Sequence, residues 1–203
     1  LCGAALNVKC PFCYEANEVG AVHCESCGAN LRNAAQRRKD WLAQKRAHET
    51  ERLAALRRAE AESRNARMQS LLDSLDEPDN HSFAIYCLRE YGTQAVEPLV
   101  DVLRTDDDPD ARFGAAHTLG IIGDPGATPA LIKALADPEP AVRYWAVDAL
   151  GKLQAEKAVD AIGKLLKDRH KGVRAQAAES LRQIGTPQAI NTLERKTKWW
   201  HVG

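Results

Sequence analysis

Asp137-Pro138-Glu139-Pro140-Ala141-Val142-Arg143, continued by Ala149-Leu150-Gly151, is the stretch that decides how this chain folds. An aspartate and a proline standing before small and branched residues at helical spacing mark the entry to a helix. The Asp caps it, and Pro138 takes the first helical position, where no N–H is needed. The layout recurs with a 31-residue period: Asp106, Asp137 and Asp168 are followed by Arg112, Arg143 and Arg174, then by Ala115, Ala146 and Ala177, and by Leu119, Leu150 and Leu181. Ile122, Leu153 and Ile184 follow, then Ala127, Ala158 and Ala189, and finally Leu131, Ile162 and Leu193. A weaker copy runs from Asp76 to Arg104, with Ala84, Leu88, Gly92, Pro98 and Leu103 in the corresponding places. Four such units in succession define a repeat protein.

Each unit reads as a helical hairpin. The Ala and Leu positions lie on one helical face, and small alanines let neighbouring helices approach closely. Gly123 and Gly185 close the first helix, and Pro125 and Pro187 prevent its continuation. The second helix carries Ile132 and Leu135, or Leu165 and Leu166. One hairpin cannot bury both of its faces, so stacked hairpins share a continuous core. The expected fold class is mainly α: a short α-solenoid over 76–196, in which the Asp and Arg form a structural ladder along the stack.

The motif at 137–143, with Ala-Leu-Gly at 149–151, resembles the HEAT-like repeats of phycobilin lyases and of many prokaryotic scaffolds, and the resemblance covers 76–196. Two activities are associated with such repeats. Deoxyhypusine hydroxylase resembles this array but uses His-Glu pairs in its repeat helices to bind two irons. Here the residues after the repeat Arg are Phe113-Gly114, Tyr144-Trp145 and Ala175-Gln176, and the single His-Glu, His48-Glu49, stands outside the array. Without paired ligands no di-iron site assembles, which excludes that activity. A phycobilin lyase-like chromophore chaperone stays open as a lesser reading. His81, His117 and His170 stand at no ligand spacing, and His117 is expected in a hydrogen-bonded packing role. No phosphate loop, nucleophile elbow or paired-carboxylate motif occurs.

Working outward, the array should offer a surface lined by its second helices, where Lys133, Lys164 and Lys167 alternate with buried positions. Behind it, Trp199-Trp200 stands in a tail, 197–203, too short for another hairpin; one Trp is expected to cover the last repeat and the other to meet a protein partner. Ahead of it, 32–75 lacks Pro and Gly beyond Asn33 and is rich in Ala, Arg, Glu, Gln and Leu, which is helix composition. Its apolar residues leave gaps between Leu42 and Leu53 and between Leu56 and Met68, so no heptad seam runs through it. A charged linker helix results, with Glu60 and Arg64 set for an i,i+4 pair.

At the front, Cys10-Pro11-Phe12-Cys13 and Cys24-Glu25-Ser26-Cys27-Gly28 form a double knuckle. Four thiolates at this spacing imply structural Zn²⁺, held tetrahedrally with no open position for water or substrate. A β-hairpin between the pairs would bring them together. Gly28 supplies the positive φ just after the last ligand, and a disulfide within a two-residue gap would be strained. The residues resemble rubredoxin-like double zinc ribbons. Cys2-Gly3-Ala4-Ala5-Leu6 echoes Cys27-Gly28-Ala29-Asn30-Leu31, so 1–6 reads as the tail of an upstream ribbon and 1–31 as the ribbon region. Cys87, among Ile85, Tyr86 and Leu88, reads as a core filler.

Net charge is zero but unevenly spread: −2 over 1–27, +6 over 28–70 and −4 over 71–203. No apolar run is long enough to span a membrane. Zinc-bound free thiolates fit a reducing compartment, so the location expected is the cytoplasm. The function expected is a non-enzymatic protein-binding scaffold or adaptor in a larger assembly. The alternative is a nucleic-acid or ribosome-associated factor that uses the basic helix.

Overall fold

The computed structural model describes residues 8–10, 12–17, 21–31, 34–77 and 79–197. Cys2, Pro11, Pro78, Trp199 and Trp200 therefore lie outside the described residues. The chain divides into two compact units, Leu1–Ser63 and Arg64–Gly203.

In the larger unit, four helical hairpins follow one another after the end of α1 (Ala34–Asp73). They are α2 (His81–Tyr91) with α3 (Val96–Thr105), α4 (Pro109–Ile122) with α5 (Thr128–Ala134), α6 (Pro140–Lys152) with α7 (Val159–Leu165), and α8 (Lys171–Ile184) with α9 (Pro187–Thr197). Single 3-10 turns join the two helices in the first three hairpins. Among the described residues of this region there is helix and turn but no strand. The solenoid read from the sequence is the observed architecture.

The repeat positions explain the stacking. Leu88, Leu119, Leu150 and Leu181 are fully buried, as are Ala84, Ala115, Ala146 and Ala177. The first helices lie side by side because their facing residues are small. A methyl placed on Gly120 would stand 2.8 Å from Ala149 Cβ, and one on Gly151 would stand 2.7 Å from Ser180 Oγ. Neither position can take a side chain without moving a helix. The core does not begin at residue 76: Leu72 and Leu75 are buried in it, with Met68 and Leu71 of α1 packed alongside. Cys87 is not the core filler expected of it; it is only half-buried on α2.

Helix starts and stops differ from expectation in two respects. The repeat aspartates do not cap the first helices. Asp137 Oδ1 accepts from Glu139 N and Asp168 Oδ1 from His170 N, each at a turn that ends on the N-cap residue. It is Pro140, not Pro138, that opens α6. The aspartates thus shape the entry turn from outside the helix, where their carboxylates can also reach another repeat. At the other end, Gly123 and Gly185 do close α4 and α8 in the left-handed conformation. The equivalent residue of the third hairpin is Gln154, at φ 48°, with Ala155 N donating to Leu150 O behind it.

Helix α1 spans 40 residues. From Ala43 to Arg67 every one of its side chains is exposed. Its apolar residues share in this: Trp41, Leu53 and Leu56 are about half exposed, at 55%, 46% and 52%. Lys45 sits 5.2 Å over the Trp41 ring. The expected pair of Glu60 with Arg64 does not close to an ion pair, both side chains standing in solvent. This is a solvated charged helix without a seam, as its sequence pattern predicts. None of the described helices is long and apolar enough to cross a membrane.

Candidate functional site

The smaller unit is built around two nearly identical turns. Strands β1 (Val8–Lys9) and β2 (Ala16–Asn17) pair antiparallel, with Val8 opposite Asn17 and Lys9 opposite Ala16. This hairpin encloses the first cysteine pair. It does not lie between the two pairs, as expected from the sequence. In the first turn Tyr14 N donates to Cys10 O and Cys10 N to Glu15 O, at 2.9 and 2.8 Å. In the second, Gly28 N donates to Cys24 O and Cys24 N to Ala29 O, at 2.8 and 2.7 Å. The residue after each second cysteine has positive φ: Gly28 at 69° and Tyr14 at 64°. Glycine meets that requirement without strain, whereas tyrosine does not.

The two turns bring four sulfurs together. Cys10 Sγ lies 3.7 Å from Cys27 Sγ, and Cys13 Sγ lies 3.5 Å from Cys24 Sγ. All four sulfurs fall within 4.8 Å of one another. A tetrahedron with metal–sulfur bonds of about 2.3 Å has edges of about 3.8 Å, so the donor set has the size and shape a tetrahedral ion requires. The thiols share the strain of proximity unequally. The backbone N–H of Cys27 draws Cys24 down to about 6. Cys13 is stabilised as thiolate by the Glu15 N–H, but burial and the three neighbouring thiols outweigh this and push it up to about 12. Four acids are competing to carry negative charge, a conflict that a bound cation removes.

Asn17 is the residue that sequence reading missed. It is 3% exposed, its amide donates to Glu15 O, and its carbonyl accepts from Glu25 N. One side chain therefore ties the first knuckle to the second. Its only signal in the sequence was a polar residue alternating into a very small core.

On the repeat array, Lys133, Lys164 and Lys167 are all exposed, while Leu131, Ala134, Ile162 and Leu166 around them are buried. Lys133 and Lys164 are one period apart, and Arg195, one further period on, is exposed on α9. The sequence reading passed over Arg195, although the repeat spacing itself would have found it. A groove of about 170 Å³ between the second helices is lined by Glu97, Arg104, Gly126, Pro129 and Lys133.

The repeat ladder is closed at two rungs. Arg112 Nε and Nη2 donate to the two carboxylate oxygens of Asp137, at 2.9 and 3.1 Å. Arg143 does the same with Asp168, at 2.8 and 2.9 Å. Each Arg also donates through Nη1 to two carbonyls of its own entry turn, those of Asp106 and Asp107 or of Asp137 and Pro138. Burial raises the Asp168 carboxyl, but Arg143 and the His170 N–H outweigh it and hold the group below its ordinary value. His117 is not in the hydrogen-bonded role expected of it. Its ring stacks on Trp145 at 3.8 Å, and burial, aided by Lys152, lowers its pKa.

The model for HEAT repeats matches residues 65–139 and 128–198. No curated protein sequence matches the chain. Among solved structures it is similar to that of the complex of CpcE and CpcF of phycocyanin lyase from Nostoc sp. The identity is 24%, covering 68% of this chain and 90% of that one, with a TM-score of 0.60. A designed armadillo repeat protein in complex with the peptide (KR)4 is 21% identical over 63% of this chain and 69% of its own, with a TM-score of 0.44. With two overlapping matches that together span well over half of its length, the chain belongs to the HEAT-repeat family.

Proposed function

We propose that this chain is a non-enzymatic adaptor, a structural or assembly subunit of a larger complex. Its repeat array binds protein partners, and its N-terminal ribbon is held by structural Zn²⁺. The observation that carries the adaptor reading is the periodic row Lys133, Lys164 and Arg195, exposed on successive second helices, with Lys167 beside it. A solenoid repeats its surface as it repeats its core, so one cation per repeat suits an extended acidic segment of a partner. A cation in the last turn of a helix also complements the helix dipole, but that is worth only a few tenths of a kcal/mol to about 1 kcal/mol.

Zinc is favoured for the four cysteines because a closed all-sulfur tetrahedron suits a structural ion, and iron is the competitor with the same geometry. Elemental analysis of the purified protein should return one zinc per chain and no iron. The ribbon boundary at 31, the linker helix over 32–75 and the repeat units over 76–196, with the end of that helix packed on the core of the array, belong to this proposal. So does a cytoplasmic, reducing location, along with a second protein contact at Trp199 and Trp200, which rests on the sequence alone.

The test of the adaptor reading is co-purification with nuclease treatment. A protein partner should stay bound after nuclease, and the double substitution Lys133→Glu and Lys164→Glu should release it while the array stays folded. If nuclease releases everything that co-purifies, and affinity falls steeply with salt, the exposed arginines of α1 are contacting nucleic acid and the adaptor reading is wrong.

A further inference from the structure

Among the described residues, the ladder that joins the repeats ends on an arginine with no acid facing it. Arg174 is anchored as its two predecessors are: its Nη1 donates to Asp168 O and Arg169 O, at 2.8 and 3.1 Å. In Arg112 and Arg143 this anchoring aims Nε and Nη2 at both oxygens of the next repeat's aspartate. In Arg174 the same two donors have no partner among the described residues. One period beyond Asp168 the sequence carries Trp199, which has no carboxylate.

We infer that Arg174 is a preorganised carboxylate-binding site at the C-terminal end of the array, and that it takes an aspartate side chain from an acidic loop of a partner protein. This deepens the adaptor reading and rests on it, naming the chemistry of one partner group. The ligand class follows from the two closed rungs, where the same fork in the same posture holds a carboxylate bidentately. Such pairing is geometrically selective and charge-assisted. The side chain is partly exposed, so the donors are accessible, and two carbonyls already fix its geometry.

The form of the partner follows from a neighbouring position. Where Gly120 and Gly151 admit the first helix of the next repeat, the last repeat carries Arg182, paired with Glu179 at 3.0 Å. A further hairpin cannot approach as closely as its predecessors do. A loop or extended segment can still reach Arg174.

The probe is the blocked peptide acetyl-Asp-Pro-Glu-Pro-amide, which copies residues 137–140, whose aspartate fills the fork of Arg112. It is titrated into the full chain while the arginine Nε–H signals are followed by NMR. The Arg174 signal should shift and saturate at millimolar peptide, with those of Arg112 and Arg143 unmoved. A peptide with Asn in place of Asp should leave it unchanged. Arg174→Lys keeps the charge but loses the fork, and should weaken binding by roughly tenfold as read on the backbone amide signals of Asp168 and Arg169, with unmoved Arg112 and Arg143 signals showing that the fold is intact. The inference is overturned if Arg174 does not respond, if the Asn peptide shifts it equally, or if its Nε–H is already protected before peptide is added. A partner that is lost on charge reversal at Lys133 and Lys164 while Arg174 stays silent would leave the adaptor reading standing and end this one.

Discussion

The ribbon and the array solve the same problem, joining short elements into a stable unit, by opposite means. The ribbon has two-residue strands and, among the described residues, buries almost nothing besides Cys10, Cys24 and Asn17. Its order must come from a donor set that converges on one point. The array buries a leucine and an alanine from every repeat and adds Arg–Asp ion pairs at two of its junctions, with that of Arg143 and Asp168 buried. One unit thus gathers its donors at a single point, where a metal ion would hold it, and the other spreads its burial over every repeat. They should therefore fail independently and by different agents.

Withdrawing the metal proposed for the ribbon tests this difference most severely. Chelation should unfold residues 8–31, since binding free energies for structural zinc in small modules are about 10–16 kcal/mol and are folding free energy. The array should keep its helical circular dichroism. A common loss of both units would show that they do not differ as argued.

Next in size is the buried rung of the ladder. Asp168→Asn leaves the Arg143 guanidinium, 6% exposed, without its counter-charge, and should cost about 3–5 kcal/mol in urea unfolding of the array. The pH dependence has a definite sign. Because the folded carboxyl titrates below its ordinary value, its contribution is complete above the unfolded value of about 4 and is lost as the pH falls through the lower folded value. That part of the acid sensitivity should be missing from the variant.

Leu150→Ala tests distributed burial directly. The side chain is fully buried, so the loss should be about 2–5 kcal/mol, again with no change in metal content of the ribbon. A smaller loss than that of an exposed control such as Leu53→Ala would contradict the packing described.

The smallest effects expected come from backbone strain. Gln154 and Tyr14 both occupy positions of positive φ that their counterparts Gly185 and Gly28 fill with glycine. Gln154→Gly should stabilise the array by roughly 1 kcal/mol in denaturant, since a non-glycine residue there costs about that much. Tyr14→Gly should do the same for the ribbon, read as slower loss of metal to a chelator.

How much of this was legible in the sequence depended on whether a feature repeats. The 31-residue spacing exposes the hairpins, the buried Leu and Ala rows and the Arg–Asp ladder, because each is stated several times over. The four cysteines were legible for another reason: the chemistry of the donor set restricts what such spacing can mean. Single events were not legible. Asn17 bridging the knuckles and His117 stacking on Trp145 each occur once, with little or nothing in the chain to mark them out, and Gln154 breaks the glycine pattern of Gly123 and Gly185 while keeping their positive φ.

By itself, then, the sequence determined the repeat period, the hairpin as its unit and the four cysteines whose sulfurs converge, all of which depend on residue type at fixed local spacing. Only the tertiary structure decided which repeat's aspartate each arginine holds, that the entry-turn aspartates reach across repeats without capping helices, and that the Nε and Nη2 of Arg174 have no partner among the described residues. The physical reason is that these depend on contacts between residues 25 positions apart, as in Arg112 with Asp137 and Arg143 with Asp168, and such contacts exist only once the helices have stacked.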